Sequence, residues 1–335
     1  MKEIEIGKNE AGQRLDKFLG KYLNLAGKSF LYKMMRKKNI TLNGKKCEGS
    51  EKLAEGDKVK LFLADETIEK FSDVKIQKTG KKKLDVIYED EDIILINKPS
   101  GMLSQKARET DESLVEYLIR YLLENGTLSE DELRTFRPSV CNRLDRNTSG
   151  IVAAGKTLAG LQMLSEIFRD RSVHKYYRCI VAGEMKDCRT VNGWLLKDGK
   201  TNRVRILNET EALRHQQREE KPLPIRTRYE PESSNGKYTL LKVTLLTGRS
   251  HQIRAHLASL GHPIVGDGKY GLDPVNRKVG KEYGISFQLL HSFRLEFPEL
   301  SGSFSRLSGK VFEAELPEEF LKMAKGEGLL PGSAN

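Results

Sequence analysis

Between Leu84 and Pro298 the chain is a series of extended runs broken by glycine, proline and acidic turns, with helical stretches falling among them at no regular interval. LDVIYEDEDIILINKPSG reads as two strands around an acidic turn, stopped at Lys98-Pro99-Ser100-Gly101. GIVAAGK reads as a buried strand leading into the helix LAGLQMLSEIFRDR, and HKYYRCIVAG returns to strand. GWLLKDGKTNRVRIL carries a hairpin signal with Asp198-Gly199 at its turn, and TRYEPES and YTLLKVTLLTG add two more strands. Residues 111–135 and RSHQIRAHLASLG read as helical. A doubly wound sheet needs regular alternation of strand and helix, and a solenoid needs a fixed repeat. Neither is present, so the expected fold is α+β, on a large mixed, mainly antiparallel sheet.

Ahead of this region lies a smaller unit. GQRLDKFLGKYL and KSFLYKMMRKKN read as helices, with Leu15, Phe18, Leu19 and Tyr22 on one apolar face and Leu31, Met34 and Met35 on another. Asn43-Gly44 marks a tight turn between extended segments, and GDKVKLFLA follows as a strand. The second helix ends in Arg36, Lys37 and Lys38, which suits either its dipole or a phosphate-contacting edge. This layout resembles the S-four-like RNA-binding domain, with its RLDKFL, basic second helix and VNG-type turn. ADETIEKFSDVKIQKTGKKKL, rich in charge, reads as an exposed linker. The expected organisation is a small α/β RNA-binding domain over 1–65, a linker over 66–83, a large α+β domain over 84–325 and a flexible tail over 326–335.

Charge supports the division. The 335 residues carry a net +11, and residues 1–83 hold 21 Lys and Arg against 12 Asp and Glu, leaving +2 for everything beyond. A basic balance of this kind favours a polyanionic partner. Mean hydropathy is −0.54 and no apolar run approaches the ~20 residues that cross a bilayer, so a soluble protein is expected. An amino terminus with acidic residues in place of an apolar block points to the cytoplasm. Cys47, Cys141, Cys179 and Cys188 form no CxxC pair, against a zinc ribbon or a thioredoxin-like centre. No heptad seam predicts an oligomer, so a monomer is expected.

Three stretches could carry chemistry. In CNRLDRNTSG, Asp145 stands between Arg143 and Arg146, two cations that would hold it ionised as a nucleophile or base; the same residue types also build ordinary charged turns. In GRSHQIRAHLASLGHPIVGDGKYG, Ser250 can cap a helix that Gly261 ends. Ile253, Leu257 and Leu260 point to the core, leaving His251 and Arg254 on a more exposed face. Arg249 and Arg254 suit phosphate or carboxylate. His251, His256 and His262 lack the helical spacing of a metal pair, which favours packed, hydrogen-bonding histidines. In Lys175-Tyr176-Tyr177, alternation sends the tyrosines to opposite faces, as core or as a stacking platform. Lys98 is either a solvated strand end or a phosphate contact.

Taken in order, NKPSGM, RLDRNTSG, KYY, GRSHQIRAHLASLGHPIVGD and LLHSFRLEFP closely resemble the RluA-type family of RNA pseudouridine synthases, over residues 12–325. The resemblance implies isomerisation of uridine to pseudouridine in structured RNA, most simply ribosomal RNA of the large subunit, with no organic cofactor and no catalytic metal. By similarity Asp145 is the catalytic carboxylate, Arg254 pairs with it, Tyr177 stacks on the uracil while Tyr176 faces the interior, and Arg143 takes the place of the extruded base. Arg146, Lys98, Arg249, His251, Gln252, Arg36, Lys37 and Lys38 complete the expected RNA contacts. Family members commonly have His where this chain has Asn142, which removes any proton transfer there. Asp145 could attack the sugar C1′ or the base, or take a proton from C2′, and the sequence does not choose. Other readings are a transfer RNA pseudouridine synthase, a non-catalytic RNA-binding or ribosome-assembly protein, and a glycoside hydrolase, which needs a second carboxylate.

Overall fold

The structure, a computed structural model, describes residues 1–330 except 74–75, 78, 81, 200 and 219. In the amino-terminal unit β1 (Lys2–Glu5), β2 (Ile40–Leu42), β3 (Lys45–Lys46) and β4 (Lys58–Leu61) form an antiparallel sheet in the order β1-β4-β2-β3. Helices α1 (Leu15–Tyr22) and α2 (Lys28–Arg36) bury Leu15, Phe18, Leu19, Tyr22, Leu31 and Met35, the faces their spacing predicts. Met34 is only half-buried. Asn43 and Gly44 both take the left-handed conformation, at φ 50° and 73°, as a two-residue hairpin turn requires. Strand β1 was not legible in the sequence. Nor was α3 (Asp65–Lys70), at the head of the expected linker: its Ile68 is buried in the amino-terminal core with Phe71 against it. One apolar residue among four charges reads as solvated chain until its packing is known.

The large sheet contains β5 (Val86–Glu89), β6 (Ile93–Lys98), β7 (Ser139–Val140), β8 (Ser149–Gly155), β9 (His174–Ala182), β10 (Arg189–Lys197), β11 (Val204–Leu207), β12 (Leu223–Ser234), β13 (Tyr238–Leu245), β14 (Leu290–Glu296) and β15 (Val311–Glu313). Its path is β11-β10-β12-β13-β9-β14-β8-β6-β5, with β15 on β14 and β7 on β8. Every described pairing is antiparallel except that of β14 with β8, so the expected mixed, mainly antiparallel sheet is present. The β10–β11 hairpin also forms, but its ladder ends at Lys197↔Val204. The connection is therefore residues 198–203, longer than a two-residue turn at Asp198-Gly199.

Helices cover both faces. Ile94, Ile96, Val152, Tyr177 and Val243 pack with Leu118 of α4 (Leu114–Glu124) and Leu257 of α7 (Gln252–Ser259). On the reverse, Ile93, Leu95 and Ile151 meet Leu164 of α5 (Leu158–Arg169), while Leu240 meets Val279 of α8 (Asp273–Tyr283) and Phe320 of α9 (Glu318–Gly326). Covered on both sides, β8 is buried at every residue, which is why GIVAAGK is continuously apolar or small. Helix α6 (Glu209–Gln216) follows β11 and begins in a capping box of Asn208 and Glu211. The segment expected as a flexible tail packs further than the sequence suggested: Leu329 is buried beside α9, and Ser233 Oγ donates to its carbonyl at 2.5 Å. Residues 331–335 of that tail lie outside the described residues. No described helix is long and apolar enough to cross a membrane.

Candidate active site

Asp145 sits on the loop between β7 and β8, and that loop is held by its backbone. Ser104 Oγ donates to Leu144 O at 3.0 Å and accepts from Leu144 N at 3.1 Å. Thr148 N closes a turn onto Asp145 O at 3.0 Å. Asn142 donates through Nδ2 to Ile151 O at 3.1 Å and accepts from Ala153 N at 2.8 Å, so its amide continues the β8 ladder rather than facing the carboxylate. Where the loop enters β8, Gly150 has φ 110°, and a Cβ there would lie 2.3 Å from Ser292 O of β14. Only glycine permits that approach.

Lys98 is the main correction to the sequence reading. It is 0% exposed, and its Nζ donates to Pro99 O at 2.9 Å, Met102 O at 2.8 Å and Arg146 O at 3.1 Å. Burial pushes its pKa down to about 7 while the Asp145 charge pulls it back up; three carbonyl acceptors match the three protons of the ammonium form. It binds the end of β6 to the Asp145 loop and has no face for RNA. Lys98→Met would orphan three carbonyls, each costing about 1–3 kcal/mol if buried without a partner, so the melting temperature should fall and the loop loosen. Calorimetry checks this: an unchanged melting temperature would show the ammonium to be dispensable.

Asp145 is paired from a distance in sequence. Arg254 Nη1, on α7, donates to Asp145 Oδ2 at 2.8 Å, while its Nε and Nη2 donate to Asp267 Oδ2 and Oδ1 at 2.7 and 2.9 Å. One guanidinium thus spans two carboxylates. The expected clamp by Arg143 and Arg146 is absent: Arg146 Nε donates to Gly101 O at 3.1 Å, and Arg143 is exposed with no partner among the described residues. Arg254 is only 7% exposed rather than on an open helix face. Asp267, 1% exposed, also accepts from Lys269 N at 2.8 Å and Tyr270 N at 3.1 Å on Oδ1. Burial opposes its ionisation, but the hydrogen bonds and charge of Arg254 outweigh burial and hold its carboxyl below the usual value.

Tyr270 closes the arrangement. The Arg254 guanidinium lies 5.3 Å from the centre of its ring, and its hydroxyl accepts from Val204 N at 2.9 Å and meets His251 Nδ1 at 3.0 Å. Burial lowers the pKa of His251, so the ring is neutral near pH 7 and accepts the Tyr270 proton. His251, not Ser250, precedes α7, and it does so at φ 56°. Sequence reasoning missed Asp267, Tyr270 and Ser104. An aspartate between glycines in GDGKYG reads as a turn, and only the fold brings it to Arg254.

The remaining residues divide clearly. Tyr177 is on the same face of the sheet as α7, 6% exposed, and burial pushes its hydroxyl up to about 12, with the Asp145 charge adding to the rise. Tyr176 does not face the interior: it is half-buried on the reverse face, donating to Glu296 Oε2 at 2.7 Å. Gln252 is also structural, since its Nε2 donates to Thr227 Oγ1 at 3.0 Å and its Oε1 accepts from Thr247 Oγ1 and Arg249 N at 3.0 and 3.1 Å. Arg249 is half-buried, with a buried Nε that lacks a partner. His256 meets Tyr229 at 3.0 Å and His262 meets Ala182 O at 3.1 Å, and the described residues contain no group of three potential ligands. Arg36, Lys37 and Lys38 are exposed at the end of α2.

Residues 92–259 match the family described as RNA pseudouridylate synthase. The chain is 31% identical over 303 residues to ribosomal large subunit pseudouridine synthase C of Vibrio vulnificus, covering 88% of this chain and 87% of that protein. It is 30% identical over 332 residues to the Escherichia coli protein of the same name, covering 96% and 95%. The structure of human RNA pseudouridylate synthase domain containing 4 superposes with a TM-score of 0.55 at 19% identity, over 72% of this chain and 91% of that one, which shows a shared fold. From the order of its motifs, its sheet and these relatives together, the chain belongs to the RNA pseudouridylate synthase family, enzymes that isomerise uridine in RNA.

Proposed function

We propose that this enzyme modifies uridine in large-subunit ribosomal RNA, with Asp145 as its catalytic carboxylate. The observation that carries the chemistry is the 2.8 Å pairing of Asp145 with Arg254, which holds a carboxylate oxygen in place while its own loop is pinned through the backbone. Relatives named for the large ribosomal subunit over nearly the whole chain support the substrate. The reaction breaks the C1′–N1 bond, turns the base and forms C1′–C5; the proton leaving C5 is balanced by one gained at N1. Attack on C1′, attack on the base and removal of the C2′ proton each use a carboxylate held in this position. Tyr177 is assigned to stacking on the uracil and Arg143 to the vacancy left by the extruded base, a step required because a stacked base cannot reach the carboxylate.

The amino-terminal unit is assigned to RNA anchorage through Arg36, Lys37 and Lys38, and residues 84–325 to catalysis. The reading is completed by action as a monomer, in the cytoplasm where ribosomal RNA is matured. Mapping pseudouridine in RNA from cells lacking the protein tests the substrate. Loss of one or more sites in large-subunit RNA, restored by the wild-type gene but not by Asp145→Ala, is expected. Loss confined to transfer RNA would replace this substrate with the other.

A further inference from the structure

The amino-terminal unit is docked on the rest of the chain by contacts of three kinds. Lys2 Nζ pairs with Asp131 Oδ1 at 3.0 Å, Thr135 Oγ1 donates to the buried Glu10 Oε1 at 2.7 Å, and Leu158 N, at the head of α5, donates to Asn9 Oδ1 at 2.9 Å. Beside these contacts, between the two units, lies a cavity of about 90 Å³. Lys21 and Tyr22 of α1 form one wall, and Arg134 and Arg137 of the segment before β7 form another. The rim is fixed: Asn24 and the Asp73 backbone exchange two hydrogen bonds of 2.9 Å, and Ser72 Oγ donates to Tyr22 O at 2.7 Å.

Its charge is unbalanced. Three cations, Lys21, Arg134 and Arg137, line the cavity with one acid, Asp73. Lys21 and Arg137 are exposed and make no hydrogen bond or ion pair among the described residues. The Arg134 guanidinium lies 5.5 Å from the centre of the Tyr22 ring and donates through Nη1 to Ser72 Oγ. Its buried Nε is 3.0 Å from Asp131 Oδ1 without the alignment of a hydrogen bond, so this N–H has no acceptor. Two guanidiniums, one of them shared with Asp131, and an ammonium around an open cleft of this size match a tetrahedral anion.

We propose that this cavity is a phosphate subsite for the RNA backbone, gripped from both units at once. The proposal rests on the reading of this chain as an RNA-modifying enzyme and adds a contact away from the reacting uridine. A phosphate seated there draws Lys21 from one unit and Arg137 from the other onto the same nucleotide, so RNA binding and docking reinforce each other.

The test is the double variant Lys21→Gln, Arg137→Gln, two exposed side chains outside the docking contacts. Affinity for a large-subunit RNA transcript, titrated against KCl, should fall about five- to tenfold at moderate salt. The slope of log affinity on log salt should become shallower by roughly one, the value of one phosphate contact. The single-turnover rate at saturating RNA should not change. A control double variant on α8, Lys278→Gln, Lys281→Gln, should leave the slope as it was. Unchanged affinity and slope in the cavity variant, or an equal effect in the control, overturns the proposal. Saturable binding of inorganic phosphate alone, undisplaced by RNA, also overturns it by making the cavity a small-anion site. Absence of RNA binding by the wild-type protein would remove the functional reading itself, a separate result from a wild type that binds while the variant is indifferent.

Discussion

Asp145→Asn should lower single-turnover pseudouridine formation by more than about 10³-fold, the scale on which removal of a group that bonds to or deprotonates the substrate is felt. Asparagine keeps the size and a hydrogen-bond acceptor for Arg254 Nη1, now at 2.8 Å from Asp145 Oδ2, so the loop should remain in place. RNA affinity should change less than about threefold, because phosphate contacts supply most of it. The two measurements separate the readings of the site. Turnover within about tenfold of wild type would show that another group performs the chemistry, whereas parallel loss of turnover and affinity would make Asp145 a structural residue.

Asp267→Asn should have the next largest effect, although no step of the reaction passes through this residue. Its carboxylate takes two of the hydrogen bonds of a nearly buried Arg254. Breaking a buried pair of this kind costs about 3–5 kcal/mol, since the remaining charge stays in place uncompensated. A guanidinium no longer pinned on that side would shift toward Asp145, and misplacement of about 1 Å is worth some 10²-fold in rate. The single-turnover rate of the folded fraction, measured well below its melting temperature, should therefore fall too. A variant that melts early but turns over normally once folded would reduce Asp267 to a support for stability. Acid provides a second check. The carboxyl is depressed in the folded protein, so its stabilisation is complete above the unfolded value near 3.9 and is lost as pH falls toward the folded one. The gap in stability between wild type and Asp267→Asn should accordingly close as pH drops below about 4.

What could be read from the sequence, and what could not, follows from how local each feature is. The run GIVAAGK and the alternation in β9 and β13 depend on a strand and its cover, and both were legible. Tyr176 and Tyr177 fall on opposite faces as alternation predicts, but alternation does not say which face α7 will cover, and Tyr176, expected in the interior, is half-buried on the reverse face. Lys98 failed for a related reason: before a proline at a strand end a lysine reads as solvated, and the carbonyls that bury it include one 48 residues away. Asp145 and Arg254 were legible only as members of long motifs, since they are 109 residues apart. Asp267 lacked even that signal, because a short polar residue between glycines is the ordinary composition of a turn.

The place of β14 in the sheet has a consequence for how the enzyme is made. This strand, Leu290–Glu296, lies between β9 and β8, joining the half of the sheet that carries Asp145 to the half that carries Tyr177 and leads into α7. As the chain leaves the ribosome, β8 and β9 are synthesised more than a hundred residues before the strand that separates them, and each presents an open edge until it arrives. Until β14 arrives, the half-sheet with Asp145 and the half-sheet leading into α7 lack the strand that joins them. A nascent chain stalled before Leu290 would hold Asp145, Arg254 and Asp267 without the strand between their half-sheets, and its two exposed edges make it a natural client for a chaperone.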